Sequence, residues 1–165
     1  MALAYIALGS NLGEPLLQLE SACRALDAIP RCRLQARSSP WRSRPVGPQD
    51  QPHFVNAVVG LDTELPPLAL LDALQTVEAD HGRQREREQR WGPRTLDLDL
   101  LLMGSLRLRE PRLTLPHPRM AERHFVLVPL AEIAPPELPV PGQGRLQALL
   151  AALGAHDMER LEWAA

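Results

Sequence analysis

The sequence predicts an α+β fold of the ferredoxin-like type, a sandwich in which helices pack on a mainly antiparallel sheet. Two observations lead to this prediction. Strand-like and helix-like patterns follow one another in the order β-α-β-β-α-β between residues 3 and 103, which is the order of the ferredoxin-like arrangement. No internal repeat or linker interrupts the 165 residues, so a single domain spanning 1–165 is expected.

Hydrophobic spacing gives the first half of this order. Residues 3–8 form a short apolar run closed by Gly-Ser-Asn, which is typical of a buried strand and a turn. A helix begins at Pro15, carries apolar residues at three- and four-residue steps, and ends at Pro30. Residues 31–38 alternate weakly in polarity and are interpreted as the second strand.

A proline-rich stretch, 40–52, holds four prolines and a glycine and is predicted to be a loop. Residues 54–61 are rich in β-forming side chains and predict the third strand. The double proline 66–67 opens a second helix that ends at Gly82. The remaining predictions are a strand at 96–103, a hairpin arm at 106–114, a helix within 125–133 and a last helix at 145–153.

Composition excludes several functions. The net charge of −2 and the isoelectric point near 6.2 provide no bulk attraction to nucleic acid or to an anionic membrane. No apolar run is long enough to span a bilayer, and no leader peptide is seen, so a cytoplasmic monomer acting on small molecules is expected. Cys23 and Cys32 lack a metal-ligand spacing and are predicted to be free thiols.

Two aspartates, Asp97 and Asp99, stand two residues apart in the strand-like run 95–100. Because side chains alternate across a strand, both carboxylates should project from one face, about 6.5 to 7 Å apart, while the neighbouring leucines enter the core. Mg²⁺ prefers one or two carboxylates, with phosphates and water completing its coordination. An Asp-x-Asp pair taken alone more often lies on an exposed sheet face and pairs with nearby arginines. The neighbouring sequence therefore has to distinguish this alternative from a metal site.

The segment before the aspartates is rich in arginine. All 18 basic residues of the chain are arginine, so the absence of lysine excludes a Walker-A loop. A charge run alone usually marks a solvated surface. Beside an Asp-x-Asp strand it also provides guanidinium groups that could neutralise a triphosphate, and Trp91-Gly92-Pro93 would let the segment fold over as a lid. Five arginines lie in this segment: Arg83, Arg85, Arg87, Arg90 and Arg94.

Residues 90–99, Arg-Trp-Gly-Pro-Arg-Thr-Leu-Asp-Leu-Asp, closely resemble the signature of the 6-hydroxymethyl-7,8-dihydropterin pyrophosphokinase family. The resemblance continues in 4–12, 46–52 and 112–118 and fades only in the last twenty residues. It implies direct transfer of the β,γ-pyrophosphoryl group of ATP to the pterin hydroxymethyl oxygen, with release of AMP, in folate biosynthesis.

The resemblance also implies roles for individual residues. Asp97 and Asp99 would bind two Mg²⁺ ions, and Arg83, Arg85 and Arg94 would act on the phosphates during transfer. No dedicated general base is evident, so lowering of the hydroxyl pKa by bound magnesium, helped by Asp97, is our hypothesis. The implied ATP-binding residues are Arg83, Arg85, Arg90, Trp91, Arg94, Leu100, Arg112, Thr114, His117 and Arg123.

The pterin pocket can be argued partly from residue types. Phe54 and Asn56 are two apart on a predicted strand and share a face, and an Asn side chain offers the donor and the acceptor that a pterin edge needs. The plainer alternative is that Phe54 and Phe125 are core residues. Glu78, on the second helix, would either support the site or be an ordinary polar helix residue. The implied pterin-binding residues are Ser43, Arg44, Pro45, Val46, Phe54, Asn56 and Phe125.

The sequence departs from the family pattern in three places. Phe54 stands where a tyrosine is commoner, Pro118 stands where relatives carry an aromatic residue, and the arginine segment is one residue longer, so Arg87 and Arg90 are not interchangeable. Two other functions remain open: another metal-dependent nucleotidyl transferase or ATP hydrolase, and an RNA-binding module. The second is disfavoured by the acidic charge and by the 4% aromatic content.

Overall fold

The computed structural model describes residues 1–43, 53–82 and 95–164. In chain order its elements are β1 (Ala2–Ser10), α1 (Pro15–Asp27), β2 (Cys32–Arg37), β3 (Trp41–Ser43), β4 (Phe54–Thr63), α2 (Pro67–Asp80), β5 (Asp97–Met103), β6 (Leu108–Arg109), β7 (Thr114–Leu115), α3 (His124–Ile133), β8 (Pro139–Val140), β9 (Gly144–Arg145), α4 (Leu146–Leu153) and β10 (Glu159–Arg160). A 3-10 turn, Met120–Glu122, precedes α3.

The central sheet has six strands, with the path β10-β3-β4-β1-β5, and β2 also pairs with β4. Every pairing in it is antiparallel. β2 lies along the end of β4, whereas β3 lies along its beginning. This arrangement confirms the predicted α+β class with a mainly antiparallel sheet and helices packed on it.

The two faces of the sheet are covered by different helices. Residues such as Ile6 and Leu98 point to the face packed by α1 and α2, where Leu19 and Leu70 are fully buried. Tyr5, Val58 and Leu101 point to the opposite face, which packs against α3 and α4. The helices follow from local signals: α1 and α2 each have proline in the first turn, where the missing N–H costs no hydrogen bond.

The loop prediction for 40–52 is wrong at its beginning, because residues 41–43 form β3. A strand of three residues is too short to show periodicity, and its pairing with β4 is a tertiary contact. The hairpin β8–β9 and the strand β10 were also not predicted. The hairpin arm, the helix starting near residue 125 and the last helix are confirmed as β6–β7, α3 and α4.

The C-terminal tail runs along the β3 edge of the sheet. β10 pairs with β3, and the Leu161 N–H donates to the carbonyl of Pro40 at 2.8 Å. The indole N–H of Trp163 donates to the carbonyl of Ser38 at 3.0 Å. The tail therefore completes the sheet beside β3. Among the described residues, no helix is both long and apolar enough to cross a membrane, and Cys23 and Cys32 are free thiols, as predicted.

Candidate active site

The two aspartates lie on one face of β5. Asp97 is the cross-strand partner of Gly9, and Asp99 is the partner of Ala7, so the pair points to the α3 side of the sheet. Both are half-buried, while Leu96, Leu98 and Leu100 are buried on the opposite face. The predicted alternation of the Asp-x-Asp run is confirmed.

Glu78 supports the strand that carries the aspartates. Its side chain is 1% exposed, and its Oε2 accepts the backbone N–H of Leu98 at 2.7 Å. Leu98 stands between the two aspartates, and among the described strands β5 lies at the edge of the sheet, where outward N–H groups have no partner strand. This contact agrees with the reading of Glu78 as a residue that supports the strand of the proposed site. Only the tertiary structure could show this contact, because α2 meets β5 through packing.

Four neighbouring strands place one residue each in a row across the sheet. Trp41 of β3 pairs with Asn56 of β4, Asn56 pairs with Gly9 of β1, and Gly9 pairs with Asp97 of β5. Asn56 is 7% exposed, and its Nδ2 donates to Oγ of Ser43 at 3.3 Å. We call this set the site row. It brings the proposed pterin contact, Asn56, onto the same face as the acidic pair.

The glycine in the site row is required for space. A Cβ at Gly9 would lie 2.7 Å from Oδ1 of Asn56, which is closer than real side chains approach. Gly9 has no left-handed backbone angle, so its role here is to leave room. Ser10 and Asn11, which follow it, are 0% and 1% exposed. The sequence predicts a turn at Gly-Ser-Asn, whereas Gly9 and Ser10 belong to β1.

Helix α3 begins beside this row. Phe125, its second residue, is half-buried and packs against the cluster under α3, and the Arg123 guanidinium lies 5.5 Å from the Phe125 ring centre. Phe54, across from Ser43 on β4, is also half-buried. Both aromatic rings are incompletely buried: Phe54 shares the Asn56 face of β4, and Phe125 lies on the helix that packs on this face of the sheet.

His117 is an uncharged imidazole close to the acidic pair. Burial, together with the positive charge of Arg123, lowers its pKa from 6.5 to about 4, although Asp97 acts in the opposite direction. Its Nδ1 accepts the backbone N–H of Arg119 at 3.1 Å, so the neutral ring carries its proton on Nε2. The carbonyl of His117 accepts a hydrogen bond from Nε2 of Gln143 at 3.1 Å. The three side chains thus lie close enough for His117 to interact electrostatically with Arg123 and with Asp97.

Three further predicted nucleotide contacts lie on the β5–β7 side. Arg112 forms an ion pair with Asp72 at 2.6 Å and also donates to Gln75, both on α2. Thr114 is half-buried in β7. Leu100 is 3% exposed and belongs to the core on the face opposite the aspartates, so its side chain does not reach the face that carries them. The other predicted site residues lie outside the described residues: Arg44, Pro45, Val46, Arg83, Arg85, Arg90, Trp91 and Arg94.

The comparisons with known proteins agree with the resemblance seen in the sequence. The family model for 7,8-dihydro-6-hydroxymethylpterin-pyrophosphokinase matches residues 5–135. A Pseudomonas aeruginosa protein named 2-amino-4-hydroxy-6-hydroxymethyldihydropteridine pyrophosphokinase is 53% identical over 157 residues, 95% of each chain. A Haemophilus influenzae protein of the same name is 48% identical over 98% of this chain and 99% of its own length.

Solved structures support the fold. A Plasmodium falciparum HPPK-DHPS chain, crystallised with pteroate, superposes with a TM-score of 0.69 at 11% identity. The superposition covers 90% of this chain and 43% of that one, so this chain spans less than half the length of that protein. With a family match over most of its length and close relatives covered almost end to end, this chain belongs to the 7,8-dihydro-6-hydroxymethylpterin-pyrophosphokinase family.

Proposed function

We propose that the chain transfers the β,γ-pyrophosphoryl group of ATP to 6-hydroxymethyl-7,8-dihydropterin in folate biosynthesis, giving the pterin diphosphate and AMP. Family membership supports the reaction. The observation that carries the proposal is the site row, because it places a buried amide suited to a pterin edge on the same sheet face as an acidic pair suited to a metal–triphosphate.

The acidic pair fits magnesium bound together with nucleotide phosphates. In the part of the chain that the structure describes, no group of three or more His, Cys, Asp or Glu side chains could hold a metal by itself. Two carboxylates on one strand face are enough protein ligands for Mg²⁺ when nucleotide phosphates supply other ligands. Asp97 and Asp99 would hold two such ions, which supply charge neutralisation on the phosphates and a lower pKa of the acceptor hydroxyl.

His117 and Arg123 have the properties needed to bind the phosphates of ATP. A neutral imidazole with its proton on Nε2 can donate one hydrogen bond to a phosphate oxygen without needing a counter-charge. Arg123 adds a permanent positive charge, which favours the negatively charged triphosphate. The arginine segment would add Arg83, Arg85, Arg90 and Arg94, with Trp91, over the phosphates. Arg112, Thr114 and Leu100 complete the proposed ATP contacts.

On the pterin side, Asn56 would read the edge of the heterocycle. Its buried carboxamide offers Oδ1 as an acceptor and Nδ2 as a donor, and the Ser43 hydroxyl orients it. Phe54 and Phe125 would hold the flat ring by its faces. Ser43, Arg44, Pro45 and Val46 would supply the remaining contacts through the segment that follows β3.

The test is the nucleotide product. The chain is incubated with MgATP and 6-hydroxymethyl-7,8-dihydropterin, and nucleotides are separated by chromatography. AMP formed only in the presence of pterin supports pyrophosphoryl transfer. ADP as the main pterin-dependent product would overturn the proposal, and release of free pyrophosphate would favour a nucleotidyl transferase. A cytoplasmic monomer that binds neither nucleic acid nor membrane is the accompanying expectation, and size-exclusion chromatography tests its monomeric state.

A further inference from the structure

We propose that Glu132, near the end of α3, is a positioning residue for the pterin side of the active site. It ties β3 to α3 and thereby holds Ser43 and Asn56 in place. The inference rests on the proposed function, since it assigns Glu132 to the pterin half of that site.

Glu132 collects three hydrogen bonds from the strand segment that enters β3. Its Oε1 accepts the Trp41 indole N–H at 2.7 Å and the Ser39 backbone N–H at 3.1 Å, and its Oε2 accepts the Ser39 hydroxyl at 2.8 Å. A carboxylate acceptor makes each of these stronger than a bond between neutral groups. One carboxylate thus uses both of its oxygens to hold Ser39 and Trp41, which lie on either side of Pro40 where the chain enters β3.

β3 needs such a tether because its own pairing is short. Among the described residues it spans three positions, pairs with β4 through Trp41, Arg42 and Ser43, and meets two residues of β10 on its outer side. Pro40, immediately before it, cannot donate a backbone hydrogen bond. The backbone bonds around β3 join it to the sheet and to the C-terminal tail, whereas the three bonds to Glu132 join this segment to α3.

The tethered residue is itself part of the site row. Trp41 stands directly across from Asn56, and Ser43, two residues further on the same strand, accepts the hydrogen bond that orients Asn56. At the other end of α3, Phe125 lies seven residues before Glu132. Two helical turns place these two side chains on one helix face, about 10 Å apart along the axis. Glu132 therefore fixes the distance between α3, which carries Phe125, and β3, which carries Ser43.

The tether is exposed, so it can be removed without opening the core. Glu132 and its hydrogen bonds lie at the surface, where lost pairs have small effects on folding. Its effect should appear in pterin binding, since the neighbouring Asn56 carboxamide is buried and hydrogen-bonded. An effect on pterin binding without a comparable effect on folding distinguishes a positioning role from a merely structural one.

The experiment compares Glu132→Ala, Glu132→Gln and Trp41→Phe by steady-state kinetics with each substrate varied. Glu132→Ala should raise the KM for the pterin about 5- to 10-fold, as expected for loss of charge-assisted bonds, without a matching rise in the KM for ATP. Glu132→Gln keeps an acceptor oxygen and should recover most of the affinity. Trp41→Phe should act in the same direction, and the double variant should lose less than the product of the single losses.

The matched control is Glu64→Ala, which removes an exposed carboxylate paired with Arg31 at 3.7 Å, at the opposite end of β4. It should leave both KM values unchanged. An unchanged pterin KM in Glu132→Ala, or equal rises for pterin and ATP, overturns the positioning role while leaving the proposed function intact. Failure of the wild-type chain to form pterin-dependent AMP overturns both proposals.

Discussion

Gly9 and Asn56 face each other across β1 and β4, and a side-chain carbon on Gly9 would lie 2.7 Å from the Asn56 amide oxygen. The glycine lies in extended backbone, so a larger residue would be accepted conformationally but not sterically. Asn56 is buried and has little freedom to move aside. The position of the Asn56 carboxamide therefore depends on the residue at position 9 being a glycine.

Gly9→Ala should displace the Asn56 carboxamide and weaken pterin binding. Overpacking of this kind costs about 1–3 kcal/mol, which would appear as a higher pterin KM and a lower free energy of unfolding. Gly60→Ala is the control, because a Cβ at Gly60 would meet its nearest atom at 3.5 Å, an ordinary contact. If the two variants bound pterin equally well, the spacing argument would be wrong.

Asp97→Asn and Asp99→Asn should each lower turnover by about a hundredfold or more, because the loss of a metal-binding carboxylate removes several kcal/mol of charge stabilisation. Circular dichroism and thermal unfolding should remain close to wild type, since both side chains are only half-buried. Asp62→Asn, at the far end of β4 beside Arg33, is the control and should keep its rate. A near-normal rate in either site variant contradicts the two-carboxylate role. In a separate experiment on the wild-type chain, chelation of Mg²⁺ should abolish turnover reversibly.

Glu78→Ala should destabilise the fold through β5. The substitution leaves the buried N–H of Leu98 without its 2.7 Å acceptor, and the loss of a hydrogen bond to a charged group costs about 1.5–3 kcal/mol. Glu78→Gln retains an acceptor oxygen and should lose less. Urea unfolding curves measure the difference, and equal stability of the two variants would show that the Leu98 contact contributes nothing.

His117 should make the free energy of unfolding depend on pH. Its folded pKa is about 4 rather than 6.5, so the unfolded chain binds more protons between these values and stability falls as pH decreases through that window. The contribution, at most about 3 kcal/mol, is fully present above pH 6.5. His117→Asn, whose Oδ1 can still accept the Arg119 N–H, should flatten the curve between pH 6.5 and 4. Urea unfolding at a series of pH values measures the slope, and a wild-type slope in His117→Asn would contradict the assignment.

Some site residues follow from local sequence and others do not, for physical reasons. Asp97 and Asp99 could be placed on one face because alternation along a strand is a local property of the backbone. Trp41 and Glu132 could not be found, because three-residue β3 has no readable period and the two residues are joined only by tertiary contact. Gly9 was visible as a glycine, but its neighbour Asn56 is 47 positions away, and the register that joins them is a property of the sheet.

By itself, the sequence determined the element order, the one-sided acidic pair and, through residues 90–99, the family. These are properties of local periodicity and short-range composition. Only the tertiary structure decided that Asn56 and Asp97 share a row across Gly9, that Glu78 caps the Leu98 N–H, and that burial beside Arg123 keeps His117 neutral. Strand register, desolvation and the field of neighbouring charges arise when distant segments pack together, and no single segment carries that information.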